Sequence, residues 1–305
     1  MPTPDPPTAG APDPILFGWD PTPGIVSVWA DRDGQAVVWR RVDGRLVCER
    51  ERYRPWLFAA HRDDVDAAGG ARVEVRTLDG PPASYRYLLT ADSGRALEQA
   101  ILAGAARRSG GRGRPEGGLR GLDGYYRVGP VEQYLMQTGR VYFRGLAYGD
   151  LHRLQFDLET TSLDPAQGRI FLVALRDSRG LAATIEAPDA RDERRLIADL
   201  CDAVRARDPD VIENHNLMGF DLPFLEARAA ALGVPLALGR SGGPTRLARQ
   251  PEPPADGRRG RRTPRYTLAG RELIDTLDAV RRHDFVARDL PSHGLKDVAR
   301  HFGVA

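Results

Sequence analysis

Two acids, Asp157 and Glu159, stand two positions apart in the segment Phe156-Asp-Leu-Glu-Thr-Thr-Ser-Leu-Asp164. If this segment is a strand, its period of two puts both carboxylates on one face, one pleat apart. Acids so placed repel unless a cation lies between them. A hard divalent ion such as Mg²⁺ takes oxygen ligands of this kind together with phosphate oxygens. Alone, the pair equally suits a solvated surface. A second segment, Val211-Ile-Glu-Asn-His-Asn-Leu-Met-Gly-Phe-Asp221, runs from an apolar stretch ending at Glu213 to Asp221 at a predicted helix start. A carboxylate there has an ordinary explanation as a cap, and Asn216 suits a turn.

The elements that must position these residues follow from periodicity. From residue 151 onward the pattern alternates between strands and helices. Strands are predicted over 154–158, 170–176, 181–186, 210–213 and 271–274. Helices are predicted over 191–207, 221–232, 276–282 and 294–302, the first with Leu196, Ile197, Leu200, Cys201 and Val204 at helical spacing. Three strands followed by helix, strand, helix and strand make a mixed α/β sheet. The stretch 239–265 interrupts it with eight arginines, several prolines and no hydrophobic period, and is read as an Arg-rich insertion loop that suits nucleic-acid contact or plain solvation.

The first half differs. Short β-like runs at 25–29, 36–39, 46–48, 53–58, 73–76 and 85–89 are divided by Asp33-Gly34 and Asp43-Gly44 turns, and a helix is predicted over 93–103. This is a small α+β domain over 15–150, preceded by a Pro-rich tail at 1–14 read as disordered. Residues 105–121 read as a Gly/Arg-rich flexible loop and 131–148 as a bridge to the second domain at 151–305. Trp19, Trp29, Trp39 and Trp56 read as core or strand residues.

Composition sets the outer limits. The chain has 305 residues, a net charge of +2 and mean hydropathy of −0.42, enough for about two domains. Lys296 is the sole lysine among 44 basic residues, a skew that suits both coding bias and phosphate recognition by arginine. Two cysteines, Cys48 and Cys201, cannot form a disulfide framework, and the six histidines show no metal spacing along the sequence. No apolar run approaches membrane-spanning length, and the first residues lack a secretory h-region, so no membrane contact and a cytoplasmic location are expected.

Taken together, the two acidic segments resemble the ribonuclease H-like 3′–5′ exonucleases, whose sites hold four acids. Phe156-Asp-Leu-Glu-Thr160 is similar to their first motif, and Asn216-Leu-Met-Gly-Phe-Asp221 is similar to the second motif as it stands in family B DNA polymerases. Tyr53-Arg-Pro-Trp-Leu-Phe58 resembles a strand of that family's N-terminal domain. Gly270-Arg-Glu-Leu-Ile-Asp275 and the run from Gly294 to Gly303 resemble elements preceding its third motif.

The resemblance implies a ribonuclease H-like mixed-sheet exonuclease domain behind the α+β domain. It implies a two-ion site for Mg²⁺ or Mn²⁺ held by Asp157, Glu159 and Asp221, which would also be the catalytic residues. Thr160 and Leu163 would pack on the terminal nucleotide, with Leu163 as a wedge, and Asn216 and Phe220 would line the groove for a single-stranded DNA 3′ end. The implied activity is proofreading, the 3′–5′ removal of nucleotides beside DNA synthesis.

The family's third motif, Tyr-x-x-x-Asp, is absent from residues 1–305, and Asp275 is the nearest spare acid, read as structural. On this resemblance the chain is expected to be a C-terminally truncated piece of a longer protein, with a polymerase domain following it, and to be slow or inactive alone. The alternatives are a non-catalytic nucleic-acid-binding module with the same fold, and a free-standing 3′–5′ exonuclease.

Overall fold

The computed structural model describes residues 18–62, 73–81, 85–108, 110, 118–249 and 264–304. The expectations for the tail at 1–14, for about half of the Gly/Arg-rich loop (109 and 111–117) and for about half of the Arg-rich insertion (250–263) lie outside the described residues. The chain divides into two units, Met1–Gly145 and Leu146–Ala305. Among the described residues no helix is long and apolar enough to cross a membrane.

The first unit opens with an antiparallel meander of β1 (Ile25–Ala30), β2 (Gln35–Val42) and β3 (Arg45–Arg52). Gly34 turns β1 into β2 with a positive φ of 79°, where a side chain would meet the Tyr53 carbonyl. A second sheet joins β4 (Trp56–Ala59), β5 (Glu74–Thr77), β6 (Tyr87–Thr90) and β7 (Tyr125–Tyr126) in the order β5-β6-β4-β7. Helix α1 (Gly94–Arg108) covers it through Leu97 and Ile101, packed with Leu57 and Leu89. Helix α2 (Pro130–Thr138) buries Tyr134 against Ile25, Val28 and Val38.

Three expectations change here. Residues 105–108 are the last turn of α1 rather than loop, because Ala105 packs inward on the apolar face that Leu97 and Ile101 begin. Much of the expected bridge at 131–148 is α2, a core helix of the first unit whose Gln133 accepts the Trp56 backbone N–H at 3.0 Å and the indole N–H at 3.2 Å. Trp39 and Trp56 are buried, but Trp19 is 64% exposed; its indole lies over Gly139, where any Cβ would collide with the ring.

The second unit is built on five strands: β8 (Arg153–Thr160), β9 (Ile170–Asp177), β10 (Ala182–Glu186), β11 (Val211–Asn214) and β14 (Glu272–Asp275), with a two-stranded ribbon of β12 (Ala248–Arg249) and β13 (Tyr266–Thr267) beside them. The order is β10-β9-β8-β11-β14, antiparallel from β10 to β8 and parallel from β8 through β11 to β14. This is the mixed α/β sheet expected of the second domain. Strand β8 is central and strictly alternating: Leu154, Phe156 and Leu158 are buried, while Gln155, Asp157 and Glu159 face out.

The buried side of β8 packs with Leu196, Ile197, Leu200 and Val204 of helix α3 (Glu193–Arg207) and with Leu222, Phe224 and Leu225 of helix α4 (Leu222–Leu232). Each such side chain withdrawn from water contributes roughly 1.5–3 kcal/mol. That burial fixes the strand's register and thereby the direction of its acids, since a one-residue slip would turn every side chain over. Helices α5 (Thr276–Ala287) and α6 (Leu295–His301) complete the unit.

Part of the expected insertion loop is framework. Arg240 is buried, donating to Asp208 at 2.7 Å, to Asp210 at 2.9 Å and to the Gly270 carbonyl at 2.7 Å. Burial and the neighbouring Arg240 charge push Arg271 down to about 10, while it ion-pairs with Asp208. Asp210 also accepts the His152 N–H, so this buried network pins the ends of β8 and β11 together. The Arg-rich segment is accordingly narrower than its composition suggests: Ala248–Arg249 already pairs with Tyr266–Thr267.

Candidate active site

Asp157 and Glu159 project from the solvent face of β8, one pleat apart. The register with β9 pairs Asp157 with Ala174 and Glu159 with Leu172, then shifts so that Thr160 faces Ile170. This irregularity ends the strand and releases the loop 161–169. The loop is closed by Thr161 N–H to the Arg169 carbonyl and by an Asp164 turn. At its tip Leu163 is 82% exposed, an apolar side chain with little cover, and Thr160 is half-buried at its base.

On the other side of β8, strand β11 ends at Asn214. The Asn214 amide bridges to Phe156, its Oδ1 accepting the Phe156 N–H at 3.1 Å and its Nδ2 donating to the Phe156 carbonyl. A side chain thus continues the ladder where the backbone pairing stops. Asn216 then takes a left-handed conformation, φ 72°, and residues Leu217–Asp221 form a wide π-turn before α4. At Gly219 a Cβ would fall 2.2 Å from Asn216 Oδ1, so a side chain there would push the Asn216 amide aside. Such turns recur at functional sites. Leu217 and Met218 pack into the core, and Phe220 is half-buried against Phe224 with ring centroids 5.5 Å apart.

The wide turn decides the direction of Asp221. Its side chain makes no capping hydrogen bond to α4, so the ordinary cap explanation fails. Instead the residue is 3% exposed, and burial drives its carboxyl up to about 7. A hydrogen bond from Asn214 opposes that rise, and the charges of Asp157 and Asp275 add to it. The structure therefore brings Asp221 into the field of Asp157, while Glu159 shares the face of Asp157. The oxygens of the three acids do not all come within 4.8 Å of one another.

Other acids nearby are used up. Glu213 pairs with Arg153 at 2.7 Å and accepts from Gln155 at 3.2 Å. Asp275 accepts from Asn216 N–H and Leu277 N–H through one oxygen and from Met218 N–H through the other, at 2.9–3.0 Å. It caps α5 and holds the π-turn, which is a scaffolding role. Asp275→Asn removes one acceptor and should cost about 1–3 kcal/mol, less whatever relief it gives Asp221. Urea denaturation of the two proteins reads this out.

In contrast, among the described residues no Arg, Lys or His forms an ion pair with Asp157, Glu159 or Asp221, in a chain with 44 basic residues. Three unneutralised acids, one of them buried, fit a divalent cation bound through oxygen. Asn214 is the residue that sequence reading passed over. Its only local signal is an Asn at the end of an apolar strand, where that residue type is depleted.

Residues 151–298 match the family model for the DNA polymerase family B exonuclease domain. The chain is 32% identical over 159 residues to DNA polymerase 2 of Aeropyrum pernix, which covers 50% of this chain and 17% of that protein. It is 28% identical over 232 residues to a DNA polymerase of Thermococcus litoralis, covering 68% of this chain and 13% of that one. The fold is similar to the family B DNA polymerase from Pyrobaculum calidifontis, with a TM-score of 0.63, 23% identity and coverage of 92% of this chain and 39% of that one. The chain spans less than a quarter of the length of these two curated relatives.

Proposed function

Since the chain belongs with the family B DNA polymerases through residues 151–298, its exonuclease domain, we propose that it removes nucleotides from the 3′ end of single-stranded DNA, as proofreading beside DNA synthesis. Asp157, Glu159 and Asp221 would hold two divalent ions, Mg²⁺ or Mn²⁺. Ions bound there supply an activated water and stabilise the charge on the leaving 3′ oxygen. The observation that carries this reading is a buried Asp221 within the field of Asp157, its carboxyl pushed up to about 7, with no basic side chain among the described residues to answer it.

The chain's own residues do the positioning. Asn214 ties Asp221 and the Phe156 backbone together, so the acids of β8 and the π-turn hold a fixed relation. Asp275 keeps the turn from relaxing. A plain nucleic-acid-binding module is poorly served by this arrangement, because unneutralised acids repel a phosphate backbone.

The test is shortening of a 5′-labelled single strand from its 3′ end, dependent on Mg²⁺ or Mn²⁺ and stopped by chelation, expected to be slow or absent with residues 1–305 alone and faster once a segment supplying Tyr-x-x-x-Asp is added. Cleavage that ignores divalent ions would overturn the proposal. Leu163, proposed to wedge against the terminal base, gives a second readout. Leu163→Ala should leave stability within about 0.5 kcal/mol, because so exposed a side chain buries little. It should slow digestion of frayed duplex ends several-fold more than digestion of single strands, measured on matched labelled substrates.

A further inference from the structure

Helix α5 ends at Arg288 in a left-handed conformation, φ 54°, and the chain turns back so that α6 brings His301 beside His283. Asp289, the first residue after that turn, reaches both. Its Oδ1 lies 3.1 Å from His283 Nε2 and its Oδ2 lies 3.4 Å from His301 Nε2. Donor atoms of all three side chains fall within 4.8 Å of one another, the one such group of three among the described residues. Phe302 stands edge-on to both imidazoles, 5.2 Å and 4.9 Å between ring centroids, and orients them.

We propose that His283, Asp289 and His301 form a transition-metal site of the Zn²⁺ type, separate from the carboxylate site. Tetrahedral ligands at ~2.0–2.2 Å from Zn²⁺ stand roughly 3.3–3.6 Å apart, and the two carboxylate–imidazole distances need only small side-chain rotations to meet that. Two imidazoles and one carboxylate suit Zn²⁺ and its neighbours, whereas Mg²⁺ prefers oxygen alone. The three side chains are 30–43% exposed, so an ion enters from solvent and a water fills the fourth position. Neighbouring Asp284 is held elsewhere, by His293 Nε2 at 2.8 Å and by the Leu290 N–H.

The site's place in the fold gives it a consequence. Its ligands join α5, the loop after it and α6. The carbonyl of His293 in that same loop accepts from His215, the residue before Asn216. An ion would therefore lock the loop that rests against the second acidic motif.

The experiment titrates metal-stripped chain with Zn²⁺ in excess Mg²⁺, followed by calorimetry and X-ray absorption. One Zn²⁺ should bind with two imidazole nitrogens in its shell and raise the thermal midpoint as binding to the folded state requires. His301→Ala and Asp289→Ala should each weaken this binding by at least ~10-fold. Asp157→Ala should not change it, which separates this site from the proposed exonuclease centre. Absence of Zn²⁺ binding, a shell without imidazole, or affinity unchanged in both variants would overturn the proposal and show a metal-free His–Asp–His hydrogen-bonded clasp.

Discussion

Asp221→Asn is expected to stabilise the metal-free protein at pH 8 by up to roughly 4 kcal/mol and to leave it unchanged near pH 4. The reason is the carboxyl's rise from 3.8 to about 7, caused by burial and by the nearby charges of Asp157 and Asp275. An acid whose folded value lies above its unfolded value holds more protons when folded. Its stabilising contribution is complete below about pH 4 and is lost as pH rises through 7. Asparagine keeps the shape and has no charge to bury, so the loss disappears in the variant. A divalent ion should cancel the same penalty. Mg²⁺ at pH 8 should raise the stability of the wild-type protein and not that of Asp221→Asn. Urea denaturation at several pH values, with and without Mg²⁺, measures all of this; parallel pH profiles for the two proteins would contradict it.

In a chain extended by a segment that supplies Tyr-x-x-x-Asp, Asp157→Ala is expected to lower the divalent-dependent rate of single-strand digestion by about 10³-fold or more. Losing an ion that contributes several kcal/mol to the transition state costs that much, at ~1.4 kcal/mol per tenfold. Because Asp157 faces solvent and forms no ion pair among the described residues, its removal should cost no more than about 0.5 kcal/mol of stability, and above pH 7 it relieves part of the repulsion on Asp221. DNA affinity should fall less than ~3-fold, since the carboxylate does not itself attract phosphate. Rates of chain and variant in the same Mn²⁺ buffer, together with their binding isotherms, separate a lost reaction from a lost fold.

The features legible in the sequence are those with a local cause. Alternation in β8 told which face Asp157 and Glu159 would take, because the period of a strand is a property of its own residues. The apolar spacing of α3 located that helix within two or three residues for the same reason. What stayed hidden depended on partners far away. Arg240 looks like one more charge in a basic loop until Asp208 and Asp210 are seen beside it. Asp221 looks like a cap, and only the π-turn, held by Asp275 from 54 positions downstream, aims it elsewhere. Likewise, the cluster of His283, Asp289 and His301 has no metal-ligand spacing in sequence and exists because α6 folds back on α5.

Asp157, Glu159 and Asp221 are proposed to make one divalent-cation centre. Mn²⁺ titration of the chain followed by electron paramagnetic resonance tests it most directly. The expected result is Mn²⁺ binding that Mg²⁺ competes away and that is lost in both Asp157→Ala and Asp221→Asn. Binding of the same stoichiometry and affinity in either variant would contradict it.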